Sequence, residues 1–382
     1  MPIKPPPIAV DERRQRLSAL RLRMEKAGAG GVLLGSTTSL RYFTGIVWHP
    51  SERFLGALIT ADGIQYIGPG FERTKVESLI SVPGELLTWE EEESPYRLIA
   101  DRADGMTIAV DGDLPLFMYR ALRREIADQR LTDAVALTAP LRARKSPAEI
   151  ALMQYAKTIT LETHRRARAQ LKEGMMASDV ARFIDATHRA LGGSANTFCI
   201  VAFGADTALP HGPEKDRALK GGDVVLIDTG CQVEGYNSDI TRSYVFGEPS
   251  ADYRAVWDAE KEAQIAAFDA ARRGALCESV DAAARRSLER RGFGPGYRLP
   301  GLPHRTGHGI GLDIHEAPNL VKGDKTPLDI GMCFSNEPMI VVPGEFGVRH
   351  EDHFYMASDG PRWFTEPAAS LDDPFNNAPA FG

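Results

Sequence analysis

The apolar positions in the first part of the chain alternate between helical spacing and short strand-like runs. Leucines and one methionine recur at helical spacing between Asp11 and Ala27, and glycines follow. This pattern predicts an amphipathic helix, and a further helix is predicted over 115–127. Strands are predicted over 31–34, 54–60, 64–67 and 106–110. Helices and strands that alternate in this way predict an α/β amino-terminal domain.

The second part of the chain opens with a helix-capping sequence. Ser146-Pro147-Ala148-Glu149 reads as a capping box with proline at the first helical position, so a helix is predicted to run to about Lys172. Further helices are predicted over 178–191, with Ser178 as the N-cap, over 251–273 and over 278–291. Beyond Gly296 the chain changes to glycine-rich loops and strands. We therefore predict an α+β domain in which helices cover a curved antiparallel sheet.

Two strands in this second domain carry aspartates. An unbroken apolar run from Val224 to Ile227 ends on Asp228, and a second strand containing Asp239 is predicted over 238–246. A carboxylate at the end of an apolar strand is unfavourable unless a positive group meets it. The two aspartates either converge on a metal ion or each cap a turn.

Length and composition narrow the class of protein. The chain has 382 residues, a net charge of −7 and no concentrated basic stripe, which favours two domains and argues against nucleic-acid binding. Four widely spaced cysteines without a CxxC pair are typical of a reduced, cytoplasmic protein. The polar, proline-rich start is not a signal peptide, and no apolar run is long enough to span a membrane. The predicted segments are a tail at 1–10, domains at 11–143 and 144–370, and a tail at 371–382.

Five residues in this second domain have the chemistry of a metal site. Each has a structural explanation when taken alone, since a single histidine is more often structural and Glu351 can pair with Arg349. Together, the four carboxylates and one imidazole carry a charge of about −4, which two divalent cations would balance. Oxygen-rich ligation favours Mn²⁺, and two ions would lower the pKa of a shared water. The five residues are Asp228, Asp239, His308, Glu337 and Glu351.

The order and context of these residues resemble the pita-bread metallopeptidases, which include prolidases, Xaa-Pro aminopeptidases and methionine aminopeptidases. The matching stretches are LIDTG…NSDITRSY, GHGIGLDIHE and SNEP…VRHED. RKSPAEIALM resembles the entry into the catalytic domain, and LRLRMEKAGAGGVLL…SLRYFTG resembles the amino-terminal domain of the creatinase–prolidase branch. The resemblance implies a creatinase-like domain followed by a pita-bread domain. It also implies a homodimer with two divalent ions per subunit, Mn²⁺ before Co²⁺ or Zn²⁺.

The resemblance assigns further roles. His211 would line the substrate site, and His315 would contact the scissile amide and steady the tetrahedral intermediate. Glu337 would act as general base as well as ligand. Arg349 would orient Glu351 or the substrate. The structural alternatives are a loop position for His211 and a purely supporting position for Arg349.

The sequence also departs from the family pattern. Val341 stands where the family commonly has a tyrosine, and the segment between His315 and Glu337 lacks the arginine with which longer prolidases hold the substrate carboxylate. We therefore expect a loop from the partner subunit's amino-terminal domain to close the pocket, with Trp48 or His49 near proline and His49 or Arg53 on the carboxylate. The alternative is that Trp48 anchors the loop in its own domain. Phe334 and Ile340 are candidates for the proline slot.

These inferences predict an enzyme that hydrolyses small peptides with proline at the second position, most of all Xaa-Pro dipeptides. Three alternatives stay open from the sequence: an Xaa-Pro aminopeptidase for longer peptides, a metal-retaining lyase for a small sulfur compound, and a non-catalytic peptide-binding module. The complete set of ligands argues against the last of these. No nucleic-acid or membrane partner is expected.

Overall fold

The computed structural model describes residues 3–376, which divide into two compact units. One unit spans residues 8–142, and the other comprises 3–7 and 143–376. No helix in this part of the chain combines the length and the apolar character needed to cross a membrane.

The amino-terminal unit is built on a mixed six-stranded sheet with the order β4-β3-β2-β1-β5-β6. Its strands are β1 (Gly31–Leu34), β2 (Gly56–Thr60), β3 (Ile64–Pro69), β4 (Glu85–Trp89), β5 (Ile108–Val110) and β6 (Leu131–Asp133). Its helices are α1 (Val10–Ala27), α2 (Thr38–Thr44), α3 (Arg73–Leu79), α4 (Pro95–Ala103), α5 (Leu116–Glu125) and α6 (Val135–Arg142). Apolar side chains of the central strands and of α4 and α5 form one buried cluster, which includes Leu33, Leu58 and Ile108. The α/β prediction for this unit is confirmed.

The second unit consists of antiparallel sheets and helices. Its helices are α7 (Pro147–Gln170), α8 (Ala177–Ala190), α9 (Ala251–Ala270) and α10 (Cys277–Arg290). Its first strands are β7 (Phe198–Phe203), β8 (Val224–Gly230), β9 (Gln232–Val233), β10 (Tyr236–Asn237) and β11 (Ile240–Val245). Its later strands are β12 (Gly307–Gly309), β13 (Glu316–Leu320), β14 (Cys333–Asn336), β15 (Met339–Val342), β16 (Phe346–Arg349), β17 (Asp352–Ala357) and β18 (Gly360–Trp363).

Two antiparallel sheets meet where the polar residues concentrate. One sheet has the order β11-β8-β7 and the other the order β13-β12-β14-β17-β18. A β-bridge between Thr241 and Glu351 joins them, with the Glu351 N–H donating to the Thr241 carbonyl at 3.1 Å. The helix α7 packs on the β8–β11 hairpin, and α9 packs on β14 to β16. This junction carries residues of both sheets toward one point.

Helix starts follow local sequence at one site and tertiary contacts at another. The predicted capping box is confirmed, because Ser146 Oγ accepts from the Glu149 N–H and Glu149 accepts from the Ser146 N–H. Ser178 was wrong as an N-cap: α8 begins at Ala177, and Ser178 donates through its N–H and hydroxyl to Asp216. A carboxylate 38 residues away therefore satisfies this helix end.

The segment 371–376, expected to belong to a polar tail, packs onto the core. Leu371 and Phe375 are buried in the main apolar cluster, and the Pro374 carbonyl accepts from the Arg242 Nε at 3.0 Å. Residues 377–382 of the expected tail lie outside the described part of the chain. At the other end, Lys4 pairs with Glu234. The polar residues of 371–376 suggested a tail, although the segment contains one aliphatic and one aromatic side chain that pack in the core.

A fully buried ion pair supports the junction between the sheets. Arg242 donates to Asp352 at 2.7 Å and to the carbonyls of Thr241 and Glu351 at 3.0 Å, and neither charged side chain is exposed. We expect Arg242→Met to lower the free energy of unfolding by about 3–5 kcal/mol, because it leaves a buried carboxylate unpaired. Urea denaturation measures this change.

The matched control is Arg254→Met, which removes an arginine whose pair with Asp372 is largely exposed. Its expected loss of stability is much smaller, because exposed ion pairs contribute little. Equal losses in the two variants would contradict the importance given to the buried pair.

Candidate metal centre

The register of the β8–β11 hairpin places two predicted ligands on one face. Asp228 pairs with Thr241 across the strands. Alternate strand residues share a face, so Asp239, two positions before Thr241, lies on the same side as Asp228. On the neighbouring strand, Ile200 pairs with Asp228. The sequence expectation that both aspartates face one point is therefore met by the hairpin geometry.

His308 and Glu337 approach this face from the second sheet. The His308 N–H donates to Ser335 Oγ at 2.9 Å, and the Glu337 N–H donates to the Thr306 carbonyl at 2.8 Å. His308 Nε2 lies 3.3 Å from Glu337 Oε1 and 3.8 Å from Asp239 Oδ2. The two main-chain hydrogen bonds fix both residues beside the aspartates.

Glu351 completes the cluster from the segment that joins the sheets. One potential ligand atom each from Asp239, His308 and Glu351 lies within 4.8 Å of the others. Thr241 Oγ1 donates to Glu351 Oε2 at 2.8 Å, which leaves Glu351 Oε1 directed elsewhere. The structure thus brings together all five residues predicted from the sequence, although their roles as ligands stay a prediction.

Three carboxylates of this cluster have raised pKa values because they are buried beside other acidic groups. Burial, followed by the charge of neighbouring carboxylates, raises the pKa of Asp239 and Glu351 well above the ordinary range. Burial also raises the pKa of Glu337 to about 7, although Arg349 opposes the shift. Burial lowers the pKa of His308 well below its usual value. Within residues 3–376, Asp228 is the one carboxylate of this cluster that bonds an arginine or lysine, namely Arg349, so the other three lack such a partner.

A divalent cation fits this donor set. Three carboxylate oxygens of this cluster are buried and have no hydrogen-bond partner within residues 3–376: Asp228 Oδ1, Asp239 Oδ1 and Glu351 Oε1. Unpartnered buried acceptors are unfavourable, and hard oxygen donors are the ligands that Mn²⁺ and similar ions prefer. A bound cation would supply both the missing partner and the missing charge.

Arg349 contacts a different carboxylate from the one expected. Its Nη2 donates to Asp228 Oδ2 at 2.7 Å, and its Nε donates to Thr241 Oγ1 at 3.2 Å. Thr241 Oγ1 stands between Arg349 and Glu351, and the expected role of Arg349 in orienting Glu351 or the substrate stays a prediction. Sequence reasoning missed Thr241, whose position in ITRSY gives no sign that it bonds a residue 110 positions away.

A cavity of about 940 Å³ opens over the cluster. His211 and His315 both line it, and the ring of His315 lies 4.2 Å from that of His308 in an edge-to-face arrangement. Its apolar wall consists of Phe198, Ile200, Pro210, Pro303 and Ile314. Phe334 and Ile340 were wrong as candidates for the proline slot. Both are fully buried, and Phe334 stacks on Phe354.

The loop predicted to close the pocket lies in the amino-terminal unit and is bound within that unit. Lys75 Nζ lies over the ring of Trp48, 4.3 Å from the ring centroid. Arg53 donates to Glu91 at 2.9 Å and also contacts Glu52. With His49, these side chains line a small cavity of about 310 Å³. In this structure Trp48 therefore packs within its own domain, as in the alternative stated from the sequence.

Comparison with known proteins identifies the family. Residues 151–358, more than half of the chain, match Metallopeptidase family M24, and residues 16–144 match the Creatinase/Prolidase N-terminal domain. The chain belongs to this metallopeptidase family. The family resemblance, the two-domain fold and the assignment as a metal-dependent hydrolase are thereby confirmed.

Individual relatives cover nearly the whole chain. An uncharacterized peptidase of Schizosaccharomyces pombe is 32% identical over 92% of this chain and 80% of its own length. The Xaa-Pro dipeptidase of Lactobacillus helveticus is 31% identical over 88% of this chain and 93% of its own length. The crystal structure of dipeptidase PepE from Mycobacterium ulcerans superposes with a TM-score of 0.89 at 32% identity, covering 96% of this chain and 99% of that one.

The hydrogen bond from Thr241 to Glu351 yields a test of the metal centre. We expect Thr241→Val to weaken Mn²⁺ binding about 10–100-fold, because residues that orient ligands typically contribute that much to metal affinity. Calorimetric titration of the purified protein with Mn²⁺ measures the change.

The control is Thr229→Val on the opposite face of the same hairpin. Thr229 donates to the Phe198 carbonyl at 3.0 Å and contacts no carboxylate of the cluster through that bond. Its loss is expected to lower stability by about 1 kcal/mol and to leave Mn²⁺ affinity unchanged. A similar loss of affinity in both variants would show that hairpin stability, not the orientation of Glu351, sets metal binding.

Proposed function

We propose that this protein hydrolyses the peptide bond before proline, most of all in Xaa-Pro dipeptides, with two divalent metal ions per subunit. The observation that carries the proposal is a group of three buried carboxylates, a buried imidazole and the largely buried Glu337 beside an open cavity. Supporting it, the similar proteins include enzymes named Xaa-Pro dipeptidase.

The metal count follows from charge. Four ionised carboxylates carry about −4, and two divalent cations neutralise that charge, whereas one leaves half of it. Asp228, Asp239, His308, Glu337 and Glu351 would hold the ions, with Mn²⁺ favoured by the oxygen-rich set. When bound, such ions polarise a carbonyl and lower the pKa of water.

The chain's own residues supply the remaining chemistry. Glu337, at the edge of the cluster beside His308, takes the proton of the attacking water. His315, on the cavity wall beside His308, donates to the oxygen on which charge develops. Arg349 holds Asp228 in place through its charged hydrogen bond.

The apolar cavity wall suits a pyrrolidine ring. A bond before proline lacks an N–H, so enzymes that recognise that donor cannot hold such a substrate. Phe198, Ile200 and Ile314 offer apolar surface in the cavity that the carboxylates also line. Burying the ring there contributes binding energy without any hydrogen bond from its nitrogen.

The proposal is tested with a substrate panel on the full-length protein. With Mn²⁺ or Co²⁺ we expect Leu-Pro and Met-Pro to be cleaved in preference to Leu-Pro-Xaa tripeptides, with two metal ions per subunit by elemental analysis. Chelation should abolish turnover, and added Mn²⁺ should restore it. Full activity after exhaustive chelation, with no metal detected, would refute the metal assignment, and a preference for the tripeptides would favour an aminopeptidase.

His315→Ala tests the assignment of this residue to the transition state. We expect kcat for Leu-Pro to fall about 10²–10³-fold, the usual effect of losing one donor to a developing oxyanion. Metal content should stay near that of the wild type, because His315 stands outside the five-residue ligand set. A wild-type kcat would assign His315 a structural role.

The loop containing Trp48, His49 and Arg53 remains a predicted closure of the partner subunit's pocket in a homodimer. We expect Arg53→Ala and His49→Ala to raise the KM for Leu-Pro and to narrow its advantage over Leu-Pro amide, because either side chain would meet the substrate carboxylate. Arg53 would have to leave Glu91 to do so. Unchanged preference in both variants, or a fully active monomer by light scattering, would exclude the loop from the site.

A further inference from the structure

Arg305 and Arg349 both line the cavity above the cluster, and their surroundings differ. Arg349 is tied to the carboxylate of Asp228 at 2.7 Å. Arg305 is partly exposed, and its one side-chain hydrogen bond within residues 3–376 runs from Nη1 to the neutral Asn319 Oδ1 at 2.9 Å. A guanidinium has five N–H groups, so most of the donors of Arg305 are left for a ligand.

The main chain around Arg305 is held firmly. Asp281 accepts from the N–H and the hydroxyl of Thr306 at 3.1 and 2.7 Å. Arg285 donates to Asp281 at 2.9 Å and to the His304 carbonyl at 2.5 Å. The residues on both sides of Arg305 are therefore fixed by one buried pair. A binding group on a rigid support loses little freedom when its ligand arrives.

Arg305 also lies close to the groups assigned to the chemistry. Arg305, His315 and Glu337 line the same cavity. Asn319, the hydrogen-bond partner of Arg305, pairs with His308 across β12 and β13. A dipeptide ends one residue beyond its scissile bond, a reach of about 3.3–3.6 Å, so the receptor for its carboxylate must stand beside the catalytic groups.

We propose that Arg305 receives the free carboxylate that follows proline and so selects dipeptides. The assignment rests on the proposed Xaa-Pro activity. A planar guanidinium matches a carboxylate through two parallel hydrogen bonds. This pair would hold the carboxylate from within the catalytic unit, in addition to the loop residues Arg53 and His49.

The test compares Leu-Pro with Leu-Pro amide in the Mn²⁺-loaded, full-length enzyme. Arg305→Met is expected to raise the KM for Leu-Pro about 10–100-fold, the usual effect of losing a charged hydrogen-bonded pair. The KM for the amide should change less than about 3-fold, and kcat for either substrate should stay near that of the wild type. Arg305→Lys keeps the positive charge but lacks the two parallel N–H donors of a guanidinium. Its KM for Leu-Pro should therefore lie between those of the wild type and Arg305→Met.

Arg298→Met is the matched control, because this arginine is exposed on the segment that leads to the same cavity wall. It should leave both KM values unchanged. If Arg305→Met lowers kcat on both substrates together with the thermal midpoint, Arg305 only supports Asn319, and the proposal is overturned. The proposal is also overturned if Arg53→Ala removes the preference for Leu-Pro over Leu-Pro amide while Arg305→Met keeps this preference. A change in Arg305→Met that is confined to the cleavage of Glu-Pro relative to Leu-Pro would overturn it as well.

A failure of the proposed function is separable from a failure of this assignment. Wild-type protein that cleaves neither substrate refutes the proposed hydrolysis. Calorimetric titration of the same Mn²⁺-loaded protein with Leu-Pro and Leu-Pro amide then decides the role of Arg305. The proposal is supported if the wild type binds Leu-Pro more tightly than Leu-Pro amide and Arg305→Met loses this difference. It is overturned if the wild type and Arg305→Met bind Leu-Pro with equal affinity, or if the wild type does not bind Leu-Pro.

Discussion

Four carboxylates buried within one site are the constraint on which the catalytic unit depends. Burial, followed by the charge of neighbouring carboxylates, raises the pKa of Asp239 and Glu351. Three oxygens of the four carboxylates lack any partner within the described part of the chain. Such an arrangement is stable as ionised groups only when divalent cations balance the charge, so metal binding and the integrity of this site are coupled.

The surrounding structure holds these carboxylates in place through a chain of hydrogen bonds. The ion pair of Arg242 and Asp352 joins the two sheets. Thr241 donates to Glu351 and accepts from Arg349, and Arg349 also donates to Asp228. Each link is buried, where a hydrogen bond is electrostatically stronger and an unpaired group more unfavourable than in water. The five residues of the cluster therefore lie within strands or within two residues of a strand end.

The cavity above the cluster divides its two arginines between two tasks. Arg349 has its charge neutralised by Asp228, so it supports the metal site. Within the described residues, the side-chain hydrogen bond of Arg305 runs to a neutral amide, so its charge is available to a ligand in the cavity. Apolar side chains such as Phe198 and Ile200 occupy another part of the wall. A ligand with an apolar ring and a terminal carboxylate matches this combination.

Much of the fold and the five-residue cluster could be predicted from the sequence, because they depend on local pattern and order along the chain. The run Gly31–Leu34 forms the predicted strand, and Ser146 forms the predicted capping box, since neighbouring residues decide both. The carboxylates and His308 were identified because each stands in a distinctive context. Near the ends of elements, the sequence placed boundaries only approximately, as in the helix expected to reach Arg273 but ending at Ala270.

Tertiary structure decided the partners. Arg349 bonds Asp228, 121 positions away, and Asp216 satisfies the helix end that Ser178 was expected to cap. Phe334 turned into the core, and Phe375 packed there from a segment expected to be a tail. Arg305 gained its role only when the fold set it beside His315 in one cavity. Local sequence specifies which residues can form a strand, a cap or a ligand, but the energies that choose among distant partners arise only when burial removes water from both.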